Sequence, residues 1–474
     1  MKGVYSVEQV RAAEAALMAR LPDGALMARA AQGLAVECAV LLGGVYGARV
    51  ALLVGAGNNG GDALYAGADL ARRGAAVRAL LLEPSRVHAG GLAALQRAGG
   101  RAVAAEPGEL AGADLVVDGI VGIGGSGGLR PAAAGLVDAL GDVLTVAVDV
   151  PSGVAADTGA VDGAAVGADI TVTFGALKPG LLVGAGAAHT GELRFVDIGL
   201  QPHLPEATTH VLEAADVSAM LPVPGESDDK YTRGVVGVVA GSAAYPGAGV
   251  LTTGAAIHGG AGFVRYAGAA PDAIRARYPE VVVHADADPG DLRVQSWAIG
   301  PGIGTDDGAG ELLAKVLATD VPVIVDADGI TLLADRRDLL ENRAAATVLT
   351  PHDREFARVA DGPSVDRLGS ARAAAAALGA TVLLKGDATI VAAPDGQAWI
   401  NRTGTPWLGT AGSGDVLTGL IGSLLASGLA APLAAASGAF VHGLAGQLAA
   451  ADGPPSSADV LDSLRRAVRA ISVG

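Results

Sequence analysis

Val50-Ala51-Leu52-Leu53-Val54-Gly55-Ala56-Gly57-Asn58-Asn59-Gly60-Gly61-Asp62 decides the fold of the first half of this chain. Five apolar residues bounded by glycine are too short a run for a helix and read as a buried strand. The glycines that follow satisfy G-x-G-x-x-G. This spacing lets the backbone turn sharply and present N–H groups to a pyrophosphate at the start of a helix. Glu83, at the end of the next strand, stands where a ribose-binding acid would sit. Taken alone, the pattern equally describes a glycine-rich strand-to-helix turn.

Working outward, Ser6 with Gln9 three positions later reads as a capping box opening a helix to about Leu21. Apolar strands then alternate with Ala-rich helices at Val50–Val54, Val77–Leu82, Asp114–Val117, Leu144–Val148 and Ile170–Phe174. That alternation predicts a parallel sheet with helical crossovers. It breaks at residues 201–226, where Pro202, Pro205, Pro222 and Pro224 cluster with polar residues. Strands resume at Val235–Ala240, Val294–Ile299, Val321–Val325, Ala346–Leu349, Thr381–Leu384 and Thr389–Ala392. The two halves share architecture but not motifs, so residues 1–213 and 214–474 are expected to be unlike α/β domains.

Composition narrows the functional classes. The 474 residues carry 33 basic and 49 acidic side chains, a net charge of −16. That field opposes nucleic acid and anionic membrane, which require a basic stripe. Cys38 is the only cysteine, which excludes an intrachain disulfide and a cysteine-based zinc site. No basic segment followed by an apolar core opens the chain, and a cytoplasmic location is expected. Residues 416–451 contain no Asp, Glu, Lys or Arg, yet Pro432, repeated Gly and Ser, and His442 predict two buried core helices rather than a membrane span.

An ordinary dinucleotide turn has no need of Asn58, Asn59 and Asp62. Two more oxygen-bearing loops follow strands, Asp118 to Gly128 and Asp149-Val150-Pro151-Ser152-Gly153. In a parallel sheet all three emerge at the C-terminal edge, where ligands bind. Oxygen donors without His or Cys suit an alkali or alkaline-earth cation.

Gly55–Asp62, the loop after Asp118, Asp149–Gly153 and Lys178-Pro179-Gly180 resemble the NAD(P)H-hydrate epimerase family, as do Ser6-Val7-Glu8-Gln9 and Leu26-Met27. The resemblance spans about residues 1–200 and implies a Rossmann-like, three-layer αβα domain that binds hydrated NAD(P)H beside potassium. It assigns Asn59, Asp118 and Ser152 to the potassium ion. It assigns Asn58, Asn59, Gly60, Gly61 and Asp62 to the substrate, with Gly122, Ile123, Gly124, Gly125, Ser126, Gly127, Gly128 and Asp149. Gly119 and Val121 are slimmer than the residues the family usually carries there. Epimerisation at the hydroxylated ring carbon needs a carboxylate to move a proton, and Asp149 is preferred to Asp118, which the cation occupies.

In the second half, Gly412-Ser413-Gly414-Asp415 precedes the long apolar run from Val416. Three small residues let successive N–H groups converge on a transferring phosphoryl group, and Asp415 at the helix start can accept a proton from an attacking hydroxyl. This resembles the ribokinase-like fold. Gly241-Ser242, Tyr245–Ala248, Gly300–Gly304, Asp326-Ala327-Asp328, Thr350-Pro351-His352 with Glu355, and Lys385-Gly386 then resemble, in that order, the ADP-dependent NAD(P)H-hydrate dehydratase family over about residues 226–470. That resemblance implies nucleotide contacts at Lys385, Gly386, Asp387, Ala388, Thr389, Gly412, Ser413 and Gly414. It implies hydrate contacts at Ala248, Gly302 and His352, with Asp415 as the catalytic base, ADP as cosubstrate and Mg2+ bridging its diphosphate. Asp326 and Asp328 either bind that magnesium through water or simply end a strand. A small-molecule kinase of the same fold joined to a non-catalytic dinucleotide-binding module is the competing reading. Exposed Ala-rich helices and the habit of the family imply a homo-oligomer.

Overall fold

The computed structural model describes residues 1–125, 127–284 and 287–473. These form two compact units, one of residues 3–207 and one running from Thr208 onward together with Met1 and Lys2.

After a short strand β1 (Lys2–Val4), the first unit contains β2 (Arg49–Val54), β3 (Ala76–Leu81), β4 (Arg101–Ala104), β5 (Leu115–Gly119), β6 (Thr145–Val148), β7 (Ile170–Phe174) and β8 (Glu192–Val196). They form an all-parallel sheet in the order β4-β3-β2-β5-β6-β7-β8. Strand order reverses beside β2, so the loops after β2, β5 and β6 leave neighbouring strands at one edge. Both faces are covered, as a parallel sheet requires. Leu52, Val54, Val117 and Val148 pack against Leu34, Cys38 and Leu64 from helices on one side. Ala51, Leu53, Leu80 and Val116 pack with Leu136 on the other. The Ser6 capping box is formed with Gln9, but its helix is Val7–Met18, ending short of the expected Leu21.

The second unit contains β9 (Thr209–Val211), β10 (Val235–Val239), β11 (Phe263–Tyr266), β12 (Val282–Val283), β13 (Ser296–Ile299), β14 (Val323–Val325), β15 (Thr347–Leu349), β16 (Thr381–Leu384), β17 (Thr389–Ala392) and β18 (Ala398–Asn401). The sheet runs β1-β9-β18-β17-β16-β15-β14-β13-β10-β11-β12. Its central strands β13 to β16 are parallel, and β16-β17-β18 is an antiparallel meander. The expected border between residues 213 and 214 lies inside this unit, because β9 pairs with β18.

The uncharged stretch resolves into two helices, Ser413–Ala426 and Ala431–Ala450. The first is buried almost all round, its Gly419 so close to the Pro246–His258 helix that a Cβ would lie 2.0 Å from the Thr252 carbonyl oxygen. The second packs Ala434, Ala435, Val441 and Ala445 into the same core. Two helices, Ala25–Leu42 and Ala431–Ala450, are long and apolar enough to cross a membrane, but their inward faces belong to the two cores.

Candidate functional sites

In the first unit the loops after β2, β5 and β6 border a cavity of about 1180 Å³. Asn58, Asn59, Asp62, Gly122, Ile123, Gly124 and Asp149 line it, as does Met27 of the Leu26-Met27 pair, together with Glu14, Tyr65, His88 and Phe174, which sequence reasoning did not assign to the site. Glu14 carries a signal that could have found it, since it shares a helix face with the buried Val10 and Leu17. Gly60 and Gly61 do not line the cavity. Their missing Cβ atoms make room for the Gly55 carbonyl in one case and for His88 and Met27 in the other. Gly125 donates its N–H to the Gly122 carbonyl in a turn, Gly127 adopts φ +73°, and Gly128 packs on the Asp162 carbonyl. Ser126 lies outside the described residues. Glu83, the candidate ribose acid, is held by Arg86 and Arg130 at 3.1 and 2.6 Å.

Asp149 is the centre of this site. Its backbone adopts φ +65°, a left-handed conformation that Asp and Asn tolerate better than other side chains. Three donors converge on its Oδ1: Lys178 Nζ at 2.5 Å, and Thr173 Oγ1 and the Phe174 N–H at 3.2 Å each. Lys178 is almost wholly buried and also meets Thr173 Oγ1 and the Phe174 carbonyl. Among the described residues Oδ2 accepts no hydrogen bond and is left to the cavity. Asp62, at the start of the second turn of the Asn58–Arg72 helix, is buried, and among the described residues its Oδ1 has no partner. Burial first, then the charges of Asp149 and Glu14, push its carboxyl well above the usual range.

Beneath the cavity, fully buried Asp118 accepts from the Ser152 N–H at 2.8 Å and the Ser152 hydroxyl at 2.7 Å. Burial raises its pKa to about 6 despite those bonds. The Asn59 amide lies between the Val148 carbonyl and the Gly122 N–H. With its nitrogen toward Val148 it makes bonds of 3.1 and 3.3 Å, and with its oxygen there two oxygens face each other. Gly119 is slim because a Cβ there would lie 2.6 Å from the Ala63 methyl.

In the second unit the loops after β14 and β16 meet the start of the Ser413–Ala426 helix, where Asp326 and Lys385 lie beside Gly414. Gly412 enters that helix with φ +88°. Asp415, in the first turn, has its pKa raised to about 6 by burial and by Asp326, against the opposing pull of Lys385. Asp326 is closed. Its Oδ1 accepts from Lys385 Nζ at 2.9 Å and its Oδ2 from Thr418 Oγ1 at 2.7 Å. Burial opposes the Lys385 charge, but Asp326, Glu355 and Asp415 together hold it above the ordinary lysine value. Asp328 accepts the Gly304 N–H at 2.9 Å. Gly386, Asp387 and Ala388 form the turn between β16 and β17, with Thr389 opening β17. Ala248 and Gly302 are neighbours, a Cβ on Gly302 falling 2.9 Å from the Ala248 methyl. His352 is half-exposed and caps the Asp353–Val359 helix, its Nδ1 accepting from the Arg354 and Glu355 N–H groups.

These two sites define the class: an α/β enzyme with a cavity at one edge of a dinucleotide-type parallel sheet and, in its second unit, a glycine-bounded helix start that carries a buried carboxylate. A family model described as YjeF-related protein N-terminus matches residues 23–180, and one described as NAD(P)H-hydrate dehydratase matches residues 236–466. The chain is 53% identical over 476 residues to the bifunctional NAD(P)H-hydrate repair enzyme Nnr of Mycobacterium leprae, covering 99% of this chain and 98% of that one. It is 54% identical over 446 residues to the enzyme of the same name from Mycobacterium tuberculosis (strain H37Rv), covering 92% of each. A crystal structure of the ADP/ATP-dependent NAD(P)H-hydrate dehydratase of Bacillus subtilis, obtained with ATP and Mg2+, matches with a TM-score of 0.50 at 29% identity, over 55% of this chain and 98% of that one. A ribokinase-like protein from Enterococcus faecalis shares the fold, with a TM-score of 0.52 at 24% identity over 57% of this chain and 99% of that one. The chain belongs to the bifunctional NAD(P)H-hydrate repair enzymes, with an N-terminal epimerase domain and a C-terminal dehydratase domain.

Proposed function

We propose that Asp149 is the acid–base group of the epimerase and Asp415 the base of the dehydratase. At the first site the ring nitrogen of the hydrate expels the hydroxyl as water, and water returns to the same carbon from the other face. Asp149 Oδ2 moves the proton at that oxygen while Lys178 and Thr173 fix Oδ1. The observation that carries this reading is that division of labour within one carboxylate, with one oxygen fully bonded and the other facing the cavity.

Asn59, Asp118 and Ser152 offer an amide, a carboxylate and a hydroxyl, an all-oxygen set that fits potassium. When bound, potassium would neutralise buried Asp118 and stiffen the floor beneath the substrate.

At the second site Asp415 takes the proton from the ring hydroxyl of the S epimer, whose oxygen attacks the terminal phosphorus of ADP as AMP departs. The ring nitrogen then expels inorganic phosphate to give an iminium ion, and loss of a proton from the neighbouring ring carbon to water re-forms NAD(P)H. The Gly412–Gly414 turn, with the residues from Lys385 to Thr389, holds the nucleotide. Asp326, with both oxygens engaged, and Asp328, bonded to Gly304, form no open carboxylate pair for magnesium. The solved relative with ATP and Mg2+ supports nucleotide use at this turn.

The test is recovery of NADH absorbance from mixed R and S NADH-hydrate with ADP, magnesium and potassium. Complete rapid recovery is expected from the wild type. Asp149→Asn should give a fast phase limited to the S fraction, and Asp415→Asn should give none. Full recovery by either variant refutes its assigned role.

A further inference from the structure

We infer that His442 is a positioning residue of the dehydratase, aiming the Gly414 N–H of the Gly412–Gly414 turn at the transferring phosphoryl group. The inference rests on that turn being the phosphoryl site.

His442 projects from the Ala431–Ala450 helix, a stretch with no charged residue, and is only 6% exposed. Its Nε2 lies 3.0 Å from the Ser413 carbonyl oxygen and 3.2 Å from Ser413 Oγ. A carbonyl can only accept, so Nε2 carries the proton and donates it. Burial pushes the imidazole pKa down to about 4, which keeps the ring neutral and the donor fixed on that nitrogen.

The consequence follows from peptide geometry. The Ser413 carbonyl and the Gly414 N–H belong to one planar, trans peptide unit and point in opposite directions. Holding the carbonyl therefore sets the direction of the N–H. That N–H is free for a ligand. It lies in the first turn of a helix, where no intrahelical acceptor exists. Ser413 N–H is taken by the Thr410 carbonyl at 3.3 Å, whereas among the described residues Gly414 N–H donates to nothing. Gly414 itself lies beside the proposed chemistry, since a Cβ on it would lie 3.4 Å from Lys385 Nζ and 3.5 Å from Asp326 Oδ2. Glycines on both sides of Ser413 leave these peptide planes little restrained by their own residues. A buried imidazole whose bonds are both to Ser413 adds a second restraint on that carbonyl to the one the helix itself supplies.

The experiment measures ADP-dependent dehydration of S NADH-hydrate by His442→Leu, His442→Gln and His442→Asn, with Asp415→Asn alongside and epimerisation by the same chains as an internal control. A glutamine amide nitrogen reaches the place of Nε2, and an asparagine amide falls short. His442→Leu and His442→Asn should lose roughly 10- to 100-fold in kcat, a fraction of what loss of a whole oxyanion donor costs, with KM for the hydrate and epimerisation unchanged. His442→Gln should keep kcat within about threefold of the wild type, because it restores the same donor. Equal loss in Gln and Asn would mean that the ring only fills space, and wild-type kcat in Asn would mean that the bond aims nothing. Either result overturns the inference. Should His442→Leu fail to fold, the Gln and Asn pair decides alone. If Asp415→Asn dehydrates at full rate, the reading of the site itself has failed, a result separable from failure of the His442 role.

Discussion

Replacing Lys178 by Met, of similar length and no charge, isolates the buried ion pair on which the epimerase site is built. Lys178 Nζ contacts Asp149 Oδ1, Thr173 Oγ1 and the Phe174 carbonyl at 2.5, 3.0 and 3.2 Å. Removing one partner of such a pair typically costs about 3–5 kcal/mol, because the other charge stays buried. Asp149 keeps the Thr173 hydroxyl and the Phe174 N–H, which places the cost near ~3 kcal/mol, about a hundredfold in the folded-to-unfolded ratio. For a unit of about 200 residues that corresponds to a melting shift of roughly 6–12 °C. Thermal unfolding, with hydrogen exchange in β6 and β7 to locate the transition, measures it. R-to-S conversion should fall with it while dehydration of S hydrate persists. Adding Asp149→Asn should recover at least half of the lost stability, because no unpaired buried charge would be left. If Lys178→Met melts within about 2 °C of the wild type and epimerises normally, the argument that this pair builds the site is wrong.

Dehydration should climb as pH passes about 6 and level off above it, since Asp415, raised to about 6, must be ionised to accept the hydroxyl proton; a rate independent of pH between 5 and 8 contradicts that role. Potassium, against tetramethylammonium at equal ionic strength, should stabilise the first unit by about 2.7 kcal/mol at a hundredfold excess over its Kd, and Asp118→Asn should abolish the effect; equal melting curves in the two salts would argue against the cation site. Gly55→Ala sets a methyl carbon 1.9 Å from the Ile120 carbonyl oxygen and should cost about 1–3 kcal/mol or more, with loss of epimerisation and retention of dehydration; calorimetry and the two assays check it.

What was legible in the sequence is what the local backbone dictates. Strands such as β2 and β7 announce themselves as short apolar runs. Gly412 marks a left-handed entry to a helix, and Asp415 a carboxylate placed in its first turn. The strands that escaped notice are β1, β4, β8, β9, β11, β12 and β18, most of them at or near a sheet edge, where polar residues dilute the pattern. Contacts between distant residues were not legible either. Lys178 reads as a loop cation until β6 and β7 pair and bring it to Asp149, 29 residues away. Asp326 reads equally as a strand end or a magnesium ligand until Lys385 and Thr418, 59 and 92 residues on, claim both of its oxygens. The resemblance places Gly60 and Gly61 with the substrate, whereas the structure uses them to bring helix and sheet together. That distinction depends on which way a missing side chain would have pointed.

The left-handed backbone at Asp149 also constrains how this enzyme can evolve. Besides aspartate, asparagine and glycine are the residues that accept φ near +65° most readily, and neither can carry a proton as a carboxyl does. Glutamate, the ordinary route by which a carboxylate drifts along a lineage, would bear both the strain of that conformation and a longer side chain in a space filled by Lys178 and Thr173. On the proposed role of Asp149 the position has no gradual path of change: a lineage would keep aspartate there or lose the epimerase in a single step.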